Sequence, residues 1–125
     1  MATKEAVMTT RDVANRLSEL FKENKWSEAQ EELFSDDAES IEPPNSPGMK
    51  SAKGIDAIRK KGQDFNNMVE KVHGGYATEP VVAGKYIAIG LEIDATYKGK
   101  GRQKMDEIAL YEVRDGKIVK EQFFY

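Results

Sequence analysis

The sequence contains no cysteine. That excludes disulfides, thiolate catalysis and cysteine-ligated zinc or iron–sulfur centres, and it leaves a reducing compartment open to the chain. Histidine is nearly as scarce, with His73 standing alone. A transition-metal site therefore lacks imidazole and thiolate ligands, and no Asp/Asn/Gly loop of EF-hand type offers a hard-cation site, so neither metal nor cofactor is expected. Long apolar runs are missing too. Nothing approaches the roughly 20 residues of a membrane span, and the opening MATKEAVMTTRD lacks the apolar core of a signal peptide, which makes the cytoplasm the expected location. Nor does one sign of charge dominate: 22 acidic and 19 basic residues are mixed along the chain. No basic stripe is available for nucleic acid.

What is present is a chain of 125 residues, the length of one ordinary domain, which buries roughly 65–70% of its unfolded surface. Residues 1–9 read as a flexible N-terminal segment. Thr10 is placed to cap a helix in which Val13, Leu17, Leu20 and Phe21 form one apolar stripe, ending near Asn24. Ser27 with Gln30 reads as a capping box for a short second helix that buries Ala29, Leu33 and Phe34, stopped by Ser35-Asp36-Asp37. Trp26, between the two, is expected in the core. A short extended piece, Ala38 to Glu42, leads into PPNSPG (Pro43 to Gly48), an exposed rim or lid. A third helix, Ile55 to Met68, presents Ile55, Ile58, Phe65 and Met68 on one side.

Beyond residue 70 β-branched and aromatic residues alternate between turn signals. Strands are expected at Val72 to Val82, with Pro80 at a bulge or edge, then Lys85 to Tyr97, Arg102 to Arg114 and Lys117 to Tyr125. Helices followed by a meander give an α+β fold, with N-terminal helices packed on a curved mixed or antiparallel sheet. In Lys85 to Tyr97 the odd positions, Ile87, Ile89, Leu91, Ile93 and Ala95, mark the buried face. Met105, Glu107, Ala109, Tyr111 and Val113 share one face of the next strand; Val119, Glu121, Phe123 and Tyr125 share one face of the last. A three-residue Arg114-Asp115-Gly116 loop with glycine in a bulge brings these two sets together and sets Ala109 opposite Glu121. Glu107 and Glu121 then lie close together on an apolar wall. There desolvation and like-charge repulsion raise at least one carboxyl's pKa toward neutrality, the condition for proton transfer. On the opposite face Ile108, Leu110, Ile118 and Phe124 form a patch, diluted by Asp106, Glu112, Lys120 and Gln122, that is expected to join two copies as a homodimer. Lys98, Lys100, Arg102 and Lys104 read as a solvated hairpin tip.

The helical stretch Leu17 to Pro43, the helix-opening KGIDAIRKKGQDF (Lys53 to Phe65) and the closing MDEIALYEVRDGKIVKEQFFY (Met105 to Tyr125) together resemble the nuclear transport factor 2-like superfamily. Within it they are most similar to the SnoaL-like proteins and ketosteroid isomerases, over about residues 10 to 125. The resemblance implies a cone-shaped α+β barrel closed by helices, usually dimeric, with a cavity between sheet and helices. It also implies that Glu42 stands at the isomerase's general-base position, Leu17 at its oxyanion-hole tyrosine and Ala109 at its protonated aspartate, so replacement donors must come from Glu107, Glu121, Tyr111 or Tyr125. His73, Met105 and Phe123 point toward the cavity on the same resemblance.

Glu42, Glu107, Glu121 and His73 are thus the candidate catalytic residues. Tyr111, Tyr125, Phe123, Met105, Leu17, Ile89 and Leu91 are the candidate ligand contacts. Three readings stay open on the residues alone: an isomerase, cyclase, hydratase or dehydratase in which Glu42 moves a proton at a carbon next to a carbonyl; a module that captures a small, largely apolar metabolite without chemistry; or a dimeric interaction domain with a self-filled cavity.

Overall fold

In the computed structural model the described residues are 7–46 and 48–125. Pro47, within the expected rim loop, and residues 1–6 of the N-terminal segment lie outside them. Helix α1 (Thr10–Lys22) is capped by Thr9, one residue before the expected Thr10. Thr9 Oγ1 accepts from the Asp12 amide at 3.1 Å, and the Asp12 carboxylate accepts from the Thr9 amide at 3.0 Å. Two of the helix's orphan donors are satisfied, an arrangement that contributes about 1 kcal/mol. The stripe Val13, Leu17, Leu20 and Phe21 is buried as its spacing predicts. Each such fully buried side chain contributes roughly 1.5–3 kcal/mol.

Helix α2 (Trp26–Leu33) starts from Lys25 without a side-chain cap, because Ser27 already lies inside its first turn and cannot form the expected box with Gln30. Trp26 is not in the core. It stays 39% exposed while stacking on Phe21 with ring centroids 4.1 Å apart. Nor do Ser35, Asp36 and Asp37 form a stop: strand β1 (Phe34–Ile41) follows α2 directly. After β2 (Ala52–Lys53) and α3 (Ile55–Met68) come β3 (Val69–Ala77), β4 (Val81–Ala83), β5 (Tyr86–Tyr97), β6 (Gly101–Arg114) and β7 (Lys117–Phe124). The single strand expected from Val72 to Val82 is therefore two, separated by Thr78-Glu79-Pro80, where proline has no amide to offer a ladder.

The sheet runs β2-β1-β7-β6-β5-β3, with β4 also on β5. Strand β1 runs parallel to β7 and the other pairs are antiparallel, so the sheet is mixed. It does not close into a barrel: β2 and β3 remain at its two edges. Parallel pairing with β7 holds Phe34 and then Glu39, Ser40 and Ile41, and Ser35, Asp36 and Asp37 fall in the register shift between those two paired stretches.

The β6–β7 hairpin differs from expectation in a way that preserves its consequence. Its loop has two residues, Asp115 and Gly116, both with positive φ (52° and 76°), between Arg114 and Lys117. This is the mirror-image turn that matches strand twist. A bulge then intervenes: Val113 faces Ile118, but Glu112 faces Lys120. Tyr111 consequently opposes Glu121, and Ala109 opposes Phe123 instead of Glu121. The shift from the expected register is two residues, so side-chain parity survives and Glu121 still shares a face with Glu107 and Tyr111. Ahead of the bulge parity is reversed. Ile118, expected on the outer patch, is fully buried, while Val119 is only half-buried.

Candidate functional site

The inner face of β5, β6 and β7, the end of β1 and one side of α3 enclose an open cavity of about 1280 Å³. Its wall includes Leu91, Met105, Phe123 and Tyr111, and set into it are Glu42, Glu107, Glu121, Tyr125 and a lysine, Lys61. Alternation on the three strands explains the apolar part of this lining. The carboxyls occupy inward positions of the same strands, and Glu42 follows β1 directly.

Glu42 is buried at the end of β1. One carboxylate oxygen accepts from the Tyr125 hydroxyl at 2.6 Å, and the other pairs with the Lys61 ammonium. Lys61 also donates to Ser40 Oγ at 2.7 Å, and Ser40 in turn donates to Glu121 at 2.8 Å. The Tyr111 hydroxyl is directed at the same Glu121 carboxyl from the facing strand. At the other end Tyr125 and Ser46 share a hydrogen bond of 2.6 Å. The result is one polar chain, Ser46–Tyr125–Glu42–Lys61–Ser40–Glu121–Tyr111, laid across an oily surface.

Burial raises the Glu121 carboxyl above its ordinary value, an effect that the Ser40 hydrogen bond and Lys61 oppose. Burial likewise pushes the Tyr125 hydroxyl up to about 12, assisted by its hydrogen bond to Glu42. Glu107 stands apart. It is half-buried, and no hydrogen bond or ion pair to another side chain holds it among the described residues. Desolvation first, then the neighbouring charges of Glu42 and Glu121, raise its carboxyl to about 7. Lys61 opposes that rise.

Three residues expected at the cavity lie elsewhere. His73 is exposed, with Nε2 2.6 Å from Thr96 Oγ1 on the polar side of β5. The register shifts between Val72 and Gly74, which takes His73 out of the ladder and away from the lining. Leu17 and Ile89 are fully buried in the core, packed between α1 and the sheet and not on the cavity wall. Conversely, Lys61 was not singled out by its sequence context. Its neighbours Arg59 and Lys60 make it read as part of a solvated face, although it sits three residues after Ile58 and four before Phe65, on the inward stripe of α3. Among the described residues no group of three or more His, Asp or Glu side chains is arranged to hold a metal ion, and no helix is long and apolar enough to cross a membrane.

The profile of the SnoaL-like domain matches residues 8–125. No curated protein matches the chain. Among solved structures, a Mesorhizobium loti protein designated a candidate SnoaL-like polyketide cyclase is 38% identical, covers 94% of this chain and 100% of its own, and superposes with a TM-score of 0.88. Two others share the fold at lower identity. IdmH, a candidate polyketide cyclase from Streptomyces antibioticus, is 18% identical over 94% of this chain and 91% of its own, with a TM-score of 0.68. A Catenulispora acidiphila protein of ketosteroid isomerase-like fold, crystallised with trimethylamine, is 19% identical over 94% of this chain and 87% of its own, with a TM-score of 0.71. With one family profile spanning nearly the whole sequence and a relative of 38% identity along it, the chain belongs to the SnoaL-like family.

Proposed function

We propose that this SnoaL-like protein is a cofactor-independent enzyme of isomerase, cyclase or dehydratase type that moves a proton at a carbon next to a carbonyl in a small, largely apolar molecule. The observation that carries the reading is the placement of Glu107, a carboxyl on the cavity wall with no side-chain partner among the described residues, where desolvation and the charges of Glu42 and Glu121 raise it to about 7. A group balanced near the working pH is both available as a base and effective as an acid, worth typically 10²–10⁴ in rate. Glu42 suits the role less well, because both its oxygens are already engaged by Tyr125 and Lys61. Glu121 lies behind Ser40 and Tyr111.

The Glu107 carboxylate takes a proton from the carbon, the C–H electron pair forms a C=C bond to the carbonyl carbon, and the C=O π pair moves onto oxygen to give an enolate. The carboxyl then returns the proton to another carbon, or to a departing hydroxyl that leaves as water. The apolar wall suits the rest of such a molecule, and the resemblance to the Mesorhizobium loti protein designated a candidate cyclase supports the same class.

Hydrogen–deuterium exchange at the carbons beside the carbonyl tests this directly, followed by NMR over a panel of apolar ketones with 2-tetralone among them. The native chain should accelerate exchange, and Glu107→Gln should lower the rate by about 10²–10⁴. No acceleration, or equal rates for the variant, contradicts the assignment.

A further inference from the structure

We infer that Lys61 is the group that receives the ligand's carbonyl oxygen and the negative charge that forms there, and that the ligand is therefore a carbonyl compound neutral on arrival. This rests on the acid–base reading of the cavity given above.

Its hydrogen-bond donors single Lys61 out. An ammonium has three N–H bonds. Two of those of Lys61 are directed to Glu42 and to Ser40 Oγ. Among the described residues no acceptor takes the third. The neighbouring surface is the ring of Phe123, its centroid 5.2 Å from Nζ, and the side chain is only 11% exposed. A donor so placed, fixed and shielded from water, stabilises a developing anion far better than one in bulk solvent. Competing donors are already engaged: the Tyr125 hydroxyl donates to Glu42, and the Tyr111 hydroxyl is directed at Glu121. Glu107 is reserved for the proton.

Charge then selects the ligand class. Lys22, Arg59, Lys98 and Lys100 also line the cavity, but Lys61 alone is set among Glu42, Glu107 and Glu121, so the polar cluster itself carries no surplus positive charge for a permanent carboxylate or phosphate. An oxygen that is neutral on entry and gains charge only as Glu107 takes up the proton meets no such opposition. In this arrangement Glu42 is a positioning residue, which holds the ammonium against the cavity wall.

The probe is 4-nitrophenol, an uncharged phenol whose ionised form is yellow. The native chain should bind it and show phenolate colour at a pH where the free compound is colourless, the phenol's proton passing to solvent because Glu107 is already in its acid form there. Lys61→Met should lose the colour and bind about 10- to 100-fold more weakly, the range set by one hydrogen bond to a charged group. Should that variant fail to fold, Lys61→Met combined with Glu42→Gln removes both charges together and should give the same loss. Unchanged colour and affinity in either folded variant overturns the inference, as does binding of the neutral phenol alone by the native chain. Phenolate capture that depends on Lys61, alongside deuterium exchange indifferent to Glu107→Gln, would uphold Lys61 and remove the proton-transfer reading. Exchange that needs Glu107 yet proceeds at the native rate in Lys61→Met would do the reverse.

Discussion

Lys61 of α3 and Glu42 at the end of β1 form an ion pair in the cavity wall, their side chains 11% and 6% exposed. At that depth the pair has little water to fall back on, so each member depends on the other for its solvation. It also decides which acid is left for chemistry, since both oxygens of Glu42 are engaged and Glu107 alone faces the cavity unpartnered among the described residues.

Breaking the pair from one side should be costly. Glu42→Ala or Lys61→Met alone leaves an uncompensated buried charge and should destabilise the fold by about 3–5 kcal/mol, whereas the double replacement should cost clearly less than the sum. Urea unfolding of the three variants measures the coupling. Additive effects would show that the two side chains do not depend on each other.

Glu107 should make stability depend on pH in a defined direction. Its carboxyl is raised from 4.5 to about 7 in the folded state, so between those values the folded chain binds more protons than the unfolded one. Stability from this group is complete at low pH and lost as pH climbs through that window. Glu107→Gln removes the dependence. Relative to the native chain it should gain up to about 2–3 kcal/mol above neutrality and nothing near the lower limit. Thermal melts of the two proteins across pH give the difference, and a constant difference would be the opposing result.

Adjacent glycines in β3 should respond oppositely. A Cβ at Gly74, which lines the cavity, would meet nothing within 4 Å, whereas one at Gly75 would lie 2.2 Å from the Glu92 carbonyl oxygen. Gly74→Ala should therefore leave stability unchanged or raise it by about 0.4–1 kcal/mol while narrowing the cavity slightly. Gly75→Ala should destabilise by more than 1 kcal/mol, because two backbones must separate. Melting temperatures and 4-nitrophenol binding of both variants report the two effects separately.

The architecture was legible wherever a period was strong. The stripe of α1, the span of α3 and the alternation of β5 all follow from spacing, because each element buries one face. What escaped depended on partners distant in sequence. Ser35-Asp36-Asp37 reads as a turn until Phe34 and Glu39 on either side of it pair with β7, and the bulge that moves Ile118 inward is a property of the β6–β7 pair. The site was half legible: Glu107 and Glu121 announce themselves as acids among apolar residues, whereas Glu42 came only from the family resemblance. Lys61 does not announce itself, because a lysine beside another lysine looks solvated until the wall opposite supplies Glu42. His73 stood out by rarity, which says nothing about the direction in which a strand turns it.

We propose that the outer sheet face joins two copies of the chain. There Ile108 and Phe124 are cross-strand neighbours, 53% and 48% exposed, with Leu110 and Tyr86 nearby. Sedimentation at micromolar concentration should give a dimer for the native chain and a monomer for Phe124→Lys. A monomeric native chain would contradict the assignment of this face.

The titration of a single carboxyl tests the proton-transfer role of Glu107 most directly. In a sample with ¹³C-labelled glutamate, NMR following the Glu107 side-chain carboxyl should give a midpoint near 7, and the signal should be identifiable by its loss in Glu107→Gln. A midpoint near the ordinary 4.5 would mean that this acid is fully ionised at neutrality, and the proton-transfer role assigned to it would fall.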